Sequence, residues 1–257
     1  ARRVIASKNR DNFIAVGELF PVDETGENVE QIDSKELKNK IELMRDRGFD
    51  GIKIRSMVTA NNYEDVAKHQ VSVFVAAVRA GITPIIEPIV SREGQHEIQY
   101  ATGLLTETIK QIVEGIRGAD LIERFTMLKT GFPTNGKDSP YPEIDSMDSA
   151  ISLGRVLRVA GVPDSVITYV LSSGTSGNEW HQLVSAANKL RLGGQMKHRV
   201  GTAGGTVNLQ GPLQAAYPKG ATEMNIDLFN RQLFASALRI QIAAFGKWES
   251  EYETMNT

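Results

Sequence analysis

The chain has 257 residues, 41% hydrophobic and 23% charged, with a formal net charge of -2. That balance supports a buried core and excludes a largely disordered chain, and it lacks the basic excess of a protein devoted to nucleic acid. No apolar run reaches the ~18 residues of a membrane-spanning helix, and zero cysteines exclude disulfides, thiolate catalysis and cysteine-ligated zinc. The opening Ala1-Arg2-Arg3-Val4-Ile5-Ala6 is too short and too soon polar for a signal peptide. The expectation is a single-domain, soluble, cytoplasmic protein over 1–257 whose start has been trimmed or is only partly covered.

Short apolar runs fall at 13–19, 51–58, 83–90, 125–131 and 166–171, and they read as buried strands. Between and after them, 34–47, 63–80, 95–118, 146–160, 179–190 and 226–248 carry helical periodicity, explicit in Val71, Phe74, Val75 and Val78. The last of these is expected to bury one side, formed by Leu228, Phe229, Leu233, Ala237, Leu238 and Phe245. Strand and helix in regular alternation predict a parallel sheet of βαβ units. No G-x-G-x-x-G turn follows the first strand, and the length is near the ~250 residues of a (β/α)8 TIM barrel. The α/β barrel is therefore the expected fold. Residues 191–220, rich in glycine and proline, read as an insertion or loop, and Gly201-Thr202-Ala203-Gly204-Gly205-Thr206 could bend around an anion or be an ordinary surface loop.

Barrel enzymes work at the C-terminal ends of their strands, so the polar residues in and at the ends of the apolar runs are the candidates. They are Lys53 and Arg55, Glu87, Lys129, and Ser172 with Ser173. Lys129, in Phe125-Thr126-Met127-Leu128-Lys129, places an ammonium within a core strand, where lysine is rare. A lysine held dry beside another cation has more neutral amine for Schiff-base formation with a ketone or aldehyde; the alternative is a lysine reaching solvent or paired with a structural glutamate. Glu87, within Pro84-Ile85-Ile86-Glu87-Pro88-Ile89, is either a proton carrier for that chemistry or a barrel-closing ion pair. Ser172-Ser173-Gly174 offers hydroxyls and backbone N–H groups to an anion, though an ordinary turn has the same composition. Arg231 is on the first half of the last helix, where an arginine is usually solvated. His69, His96, His181 and His198 form no metal-binding spacing, so no metal is expected.

Together Gly51-Ile52-Lys53-Ile54-Arg55-Ser56, Thr83-Pro84-Ile85-Ile86-Glu87-Pro88, Met127-Leu128-Lys129, Val170-Leu171-Ser172-Ser173-Gly174 and Arg231-Gln232-Leu233-Phe234-Ala235-Ser236-Ala237-Leu238 resemble the class I, Schiff-base fructose-1,6-bisphosphate aldolases, in family order. The resemblance implies a cofactor-free lyase of carbohydrate metabolism acting on a phosphorylated ketose, as a homo-oligomer. It implies Lys129 as the Schiff-base lysine, with Lys53 and Glu87 moving protons around it and Arg55 supporting the site. Ser172, Ser173, Gly174 and Arg231 would hold the substrate's phosphate.

Three positions depart from the family. Ile89 stands where the family has a second acid, Ser173 replaces a glycine, and Pro21 occupies the place of a third-strand lysine. The family's first two strands, one bearing a catalytic aspartate, have no clear counterpart before Phe13, so the barrel is expected with its first strands missing or altered. Two further readings follow: an aldolase-like barrel that has become a binding or assembly protein, and a transaldolase-type transferase.

Overall fold

The computed structural model describes residues 16–19, 34–171, 177–202 and 225–247. Strands β1 (Val16–Leu19), β2 (Gly51–Val58), β3 (Thr83–Val90), β4 (Met127–Gly131), β5 (Ile167–Leu171) and β6 (Arg199–Thr202) alternate with helices. These are α1 (Ser34–Asp46), α2 (Tyr63–Arg79), α3 (Ile98–Gly118), α4 (Ser146–Val159), α5 (Gly177–Leu192) and α6 (Ile226–Ala244).

The strands form one parallel sheet in the order β1-β2-β3-β4-β5-β6. A doubly wound sheet reverses its strand order at a switch point; here every strand pairs with its neighbour in the chain. Sequential order with helical crossovers is the arrangement of an α/β barrel, seen as an arc of six strands among the described residues.

Side-chain alternation divides the sheet into two unlike faces. Ile52, Ile54, Ile86, Leu128 and Val170 are fully buried and join Phe74, Ile109, Ile112, Leu153, Val156 and Val184 of the helices in one continuous core. Phe125 adds to it by meeting Phe74 edge-on, ring centroids 5.9 Å apart. That use of Phe125 explains why the run expected to begin at 125 becomes a strand only at Met127: the aromatic caps the core ahead of the ladder. The opposite face carries Lys53, Arg55, Glu87, Lys129 and Tyr169.

Tertiary contacts also correct helix boundaries. The helix expected from 95 begins at Ile98, whose N–H donates to Asn135 Oδ1 at 2.8 Å. A cap supplied from 37 residues away is invisible to local pattern. The stretch 191–220, expected as an insertion or loop, contributes the last turn of α5 and strand β6; residues 203–220 lie outside the described residues. In α6 the expected apolar side is not the buried one: Leu233, Leu238 and Phe245 are exposed, while Ser236 and Ala243 are buried. The helix docks on α5 and β6.

Candidate active site

The inner face of the sheet gathers four charged groups from three strands. Lys53 and Arg55 alternate with Ile52 and Ile54 on β2, so they project away from the helix-packed core. Glu87 occupies the matching face of β3, in backbone register with Arg55. Lys129 projects from β4 to the same place. Glu87 Oε2 is 3.0 Å from Lys129 Nζ and 3.5 Å from Lys53 Nζ, and Glu87 Oε1 is 3.8 Å from Arg55 Nε.

The Glu87 side chain has no solvent exposure, and those of Lys129 and Lys53 retain 17% and 18%. A carboxylate this deep is costly unless paired, and here three cations surround it. Among the described residues the cations outnumber the carboxylate, which leaves positive charge at the site to offer an anionic ligand. An amine 3.0 Å from a carboxylate has a proton acceptor at hydrogen-bonding distance, with a second ammonium behind it. That arrangement can carry a carbonyl condensation, in which the amine must lose a proton and the carbonyl oxygen must gain one.

Sequence reasoning missed neighbours that backbone register supplies. Glu18 of β1 pairs with Lys53, Tyr169 of β5 pairs with Lys129, and Gly201 of β6 pairs with Tyr169. The alternation of 167–171 could have placed Tyr169 on the same face as Lys129; nothing local could have set its register.

The rim of the site is tied together by two loops. Gly136 N–H donates to His96 O at 2.7 Å, Lys137 N–H to Arg92 O at 2.6 Å, and Asp138 N–H to Gly94 O at 3.0 Å. Gly136 lies so close to Gly94 O that a Cβ there would collide with backbone. Tyr141 adds a hydrogen bond to Glu97, which raises its phenol pKa together with the Glu97 charge. Arg92 Nη2 reaches Glu179 Oε1 of α5 at 3.4 Å, extending the rim to the next unit. His96 stacks near Tyr100, ring centroids 5.6 Å apart, and burial pushes its pKa below the ordinary 6.5.

The structure thus brings Lys53, Arg55, Glu87 and Lys129 together. Arg231 is exposed on α6, which packs chiefly against α5 and β6. Ser172, Ser173 and Gly174 lie outside the described residues. Ile89 is buried on β3, so no second acid enters there. Among the described residues no cluster of His, Asp or Glu could hold a metal ion, and no helix is long and apolar enough to cross a membrane.

No protein-family model matches the chain. A curated relative, cytosolic fructose-bisphosphate aldolase 5 of Arabidopsis thaliana, is 30% identical over 112 residues, which is 43% of this chain and 30% of that protein. The match therefore spans less than a third of the relative's length. Among solved structures, the fructose-bisphosphate aldolase of Plasmodium falciparum, crystallised with TRAP and a small-molecule inhibitor, superposes with a TM-score of 0.76 at 18% identity. The superposition covers 97% of this chain and 82% of that one. The likeness at that identity is one of fold: this chain shares the α/β barrel fold of that structure.

Proposed function

We propose that the chain is a class I aldolase, a lyase that makes or cleaves a C–C bond in a phosphorylated ketose through a Schiff base on Lys129. The observation carrying this reading is the Lys53–Glu87–Lys129 line, with one buried carboxylate 3.0 Å from the amine that would react. The similarity to two fructose-bisphosphate aldolases supports it. Fructose 1,6-bisphosphate is the substrate favoured by that similarity. A cytoplasmic location is part of the proposal, supported by the similarity to a relative described as cytosolic.

The Lys129 amine adds to the ketone carbon, forming a C–N bond, and the nitrogen gives up a proton as the oxygen takes one to give a carbinolamine; a second proton on that oxygen lets it leave as water as the C=N bond forms. The resulting iminium accepts the electron pair of the neighbouring C–C bond. Cleavage then gives an enamine and an aldehyde, the adjoining hydroxyl losing its proton. Protonation of the enamine at carbon and hydrolysis return the free amine. Glu87 and Lys53 move the protons of the addition and dehydration steps, and Arg55 supports them while attracting the substrate's negative charge.

Assembly into a homo-oligomer is part of the proposal. Exposed Leu233, Phe234 and Leu238 on α6 supply apolar surface for it, and the mass in solution tests it.

The decisive experiment is borohydride reduction with fructose 1,6-bisphosphate or dihydroxyacetone phosphate, read by intact and peptide mass. One stable adduct is expected on Lys129, and none in Lys129→Met. Absence of an adduct in the parent with both compounds overturns the reading.

A further inference from the structure

On the β5 side of Lys129 the inner face carries a feature that the proton-transfer line leaves unused. Tyr169 is the backbone register partner of Lys129, and Gly201 is the register partner of Tyr169. The Tyr169 ring lies directly over Gly201. A Cβ at Gly201 would stand 2.9 Å from both Cδ1 and Cε1 of the ring, closer than carbon atoms tolerate. The ring therefore leans across β6, away from Glu87, and it can do so only because residue 201 has no side chain. Lys129 is drawn the other way, its Nζ held 3.0 Å from Glu87 on β3. Lys129 thus stands between the Glu87 carboxylate of β3 and, on the next strand, Tyr169 with its ring over β6. Thr168 and Thr130, the neighbours of Tyr169 and Lys129 in sequence, are fully buried among the residues that face the helices, so they contribute nothing to this arrangement.

We infer that Tyr169, seated on Gly201, is a specificity-determining residue: it sets how large a carbonyl compound reaches Lys129. This inference rests on the Schiff-base reading and names a limit on the substrate. With the ring in its seat, the space beside the amine takes an extended chain on the β5–β6 side. An added methyl at position 201 pushes the ring out toward Lys129 and narrows that space. Removing the ring widens it and takes away an apolar surface on which the substrate's carbon chain rests. A hydrophobic wall changed by one methyl group shifts selectivity by about tenfold or more.

The test uses two probes, dihydroxyacetone phosphate as the short ketone and fructose 1,6-bisphosphate as the long one. The readout is the rate of borohydride-trapped adduct on Lys129 with each, expressed as the long-to-short ratio, and KM is measured separately from kcat for cleavage. Gly201→Ala is expected to lower the ratio about tenfold. Tyr169→Ala is expected to raise it while increasing KM for both probes, and Tyr169→Phe, which keeps the ring, is expected to retain the parent ratio. If Gly201→Ala fails to fold, the Tyr169→Ala and Tyr169→Phe pair decides the matter alone. Unchanged ratios in folded variants that still trap an adduct overturn the role of Tyr169 and leave the aldolase reading standing. No adduct in the parent protein with either probe overturns the Schiff-base reading itself, and the specificity role falls with it.

Discussion

Removing the Glu87 carboxylate takes from Lys129 the counter-charge that stands 3.0 Å from its amine. Breaking a buried ion pair from one side costs about 3–5 kcal/mol, because the remaining charge stays desolvated. Glu87→Leu is therefore expected to lower unfolding stability by that order in urea denaturation. Adding Lys129→Met should recover part of the loss, since it removes the cation that Glu87 had paired. A second residue-level prediction concerns His69, whose Nε2 is buried without a hydrogen bond and whose pKa burial pushes below 6.5. The unfolded chain then binds more protons than the folded one just below pH 6.5. Stability from this group is complete above that pH and declines as pH falls through the folded-state pKa. The melting temperature should drop between pH 7 and pH 5, with a shallower drop in His69→Leu. Lys129 was legible at this scale because a charge in an apolar strand is conspicuous. Tyr169 was not, since an aromatic in a strand is what any core would show.

At the level of elements, α2 and α3 come into close contact where Gly115 meets Val71. A Cβ on Gly115 would lie 2.7 Å from Val71 Cγ2, and valine has little rotamer freedom to withdraw. Alanine returns about 1 kcal/mol of helix propensity, yet overpacking of this kind costs about 1–3 kcal/mol. Gly115→Ala should thus be neutral to destabilising, and Val71→Ala in the same chain should make it stabilising, a reversal readable by thermal unfolding. Strands 51–58 and 83–90 were read from the sequence with the bounds they have, because Ile52, Ile54 and Val58 in one and Ile85, Ile86, Ile89 and Val90 in the other mark short apolar runs closed by turns. The start of α3 escaped the reading because its cap, Asn135, comes from the loop after β4. The buried side of α6 escaped it because the face a helix docks is set by its tertiary partners, here α5 and β6, against which Ser236 and Ala243 are buried.

The whole molecule presents a sheet with greasy side chains toward the helices and cations toward the interior. Alternation of strand and helix foretold the parallel sheet, while the choice of barrel over open sheet rested on length and a missing motif. The sequential strand order supplies the physical reason. Because Lys53, Arg55 and Lys129 outnumber Glu87 among the described residues of the site, attraction of a doubly charged phosphate ester should weaken with ionic strength. KM for fructose 1,6-bisphosphate is expected to rise between low and 0.5 M salt. Arg55→Gln, which removes the most exposed of the cations, should raise KM about tenfold and flatten that salt dependence, while leaving borohydride trapping at Lys129 intact.

The meeting of Lys53, Glu87 and Lys129 has one more consequence. Each belongs to a different βα unit, separated from the next by a full crossover helix, so none of these units alone possesses an unusual lysine. Fragments ending before β4, or partly melted forms in which one unit has peeled away, should show only the amine reactivity of an unstructured peptide. Selective modification of Lys129 would then serve as a chemical gauge of whether three consecutive units have closed upon one another.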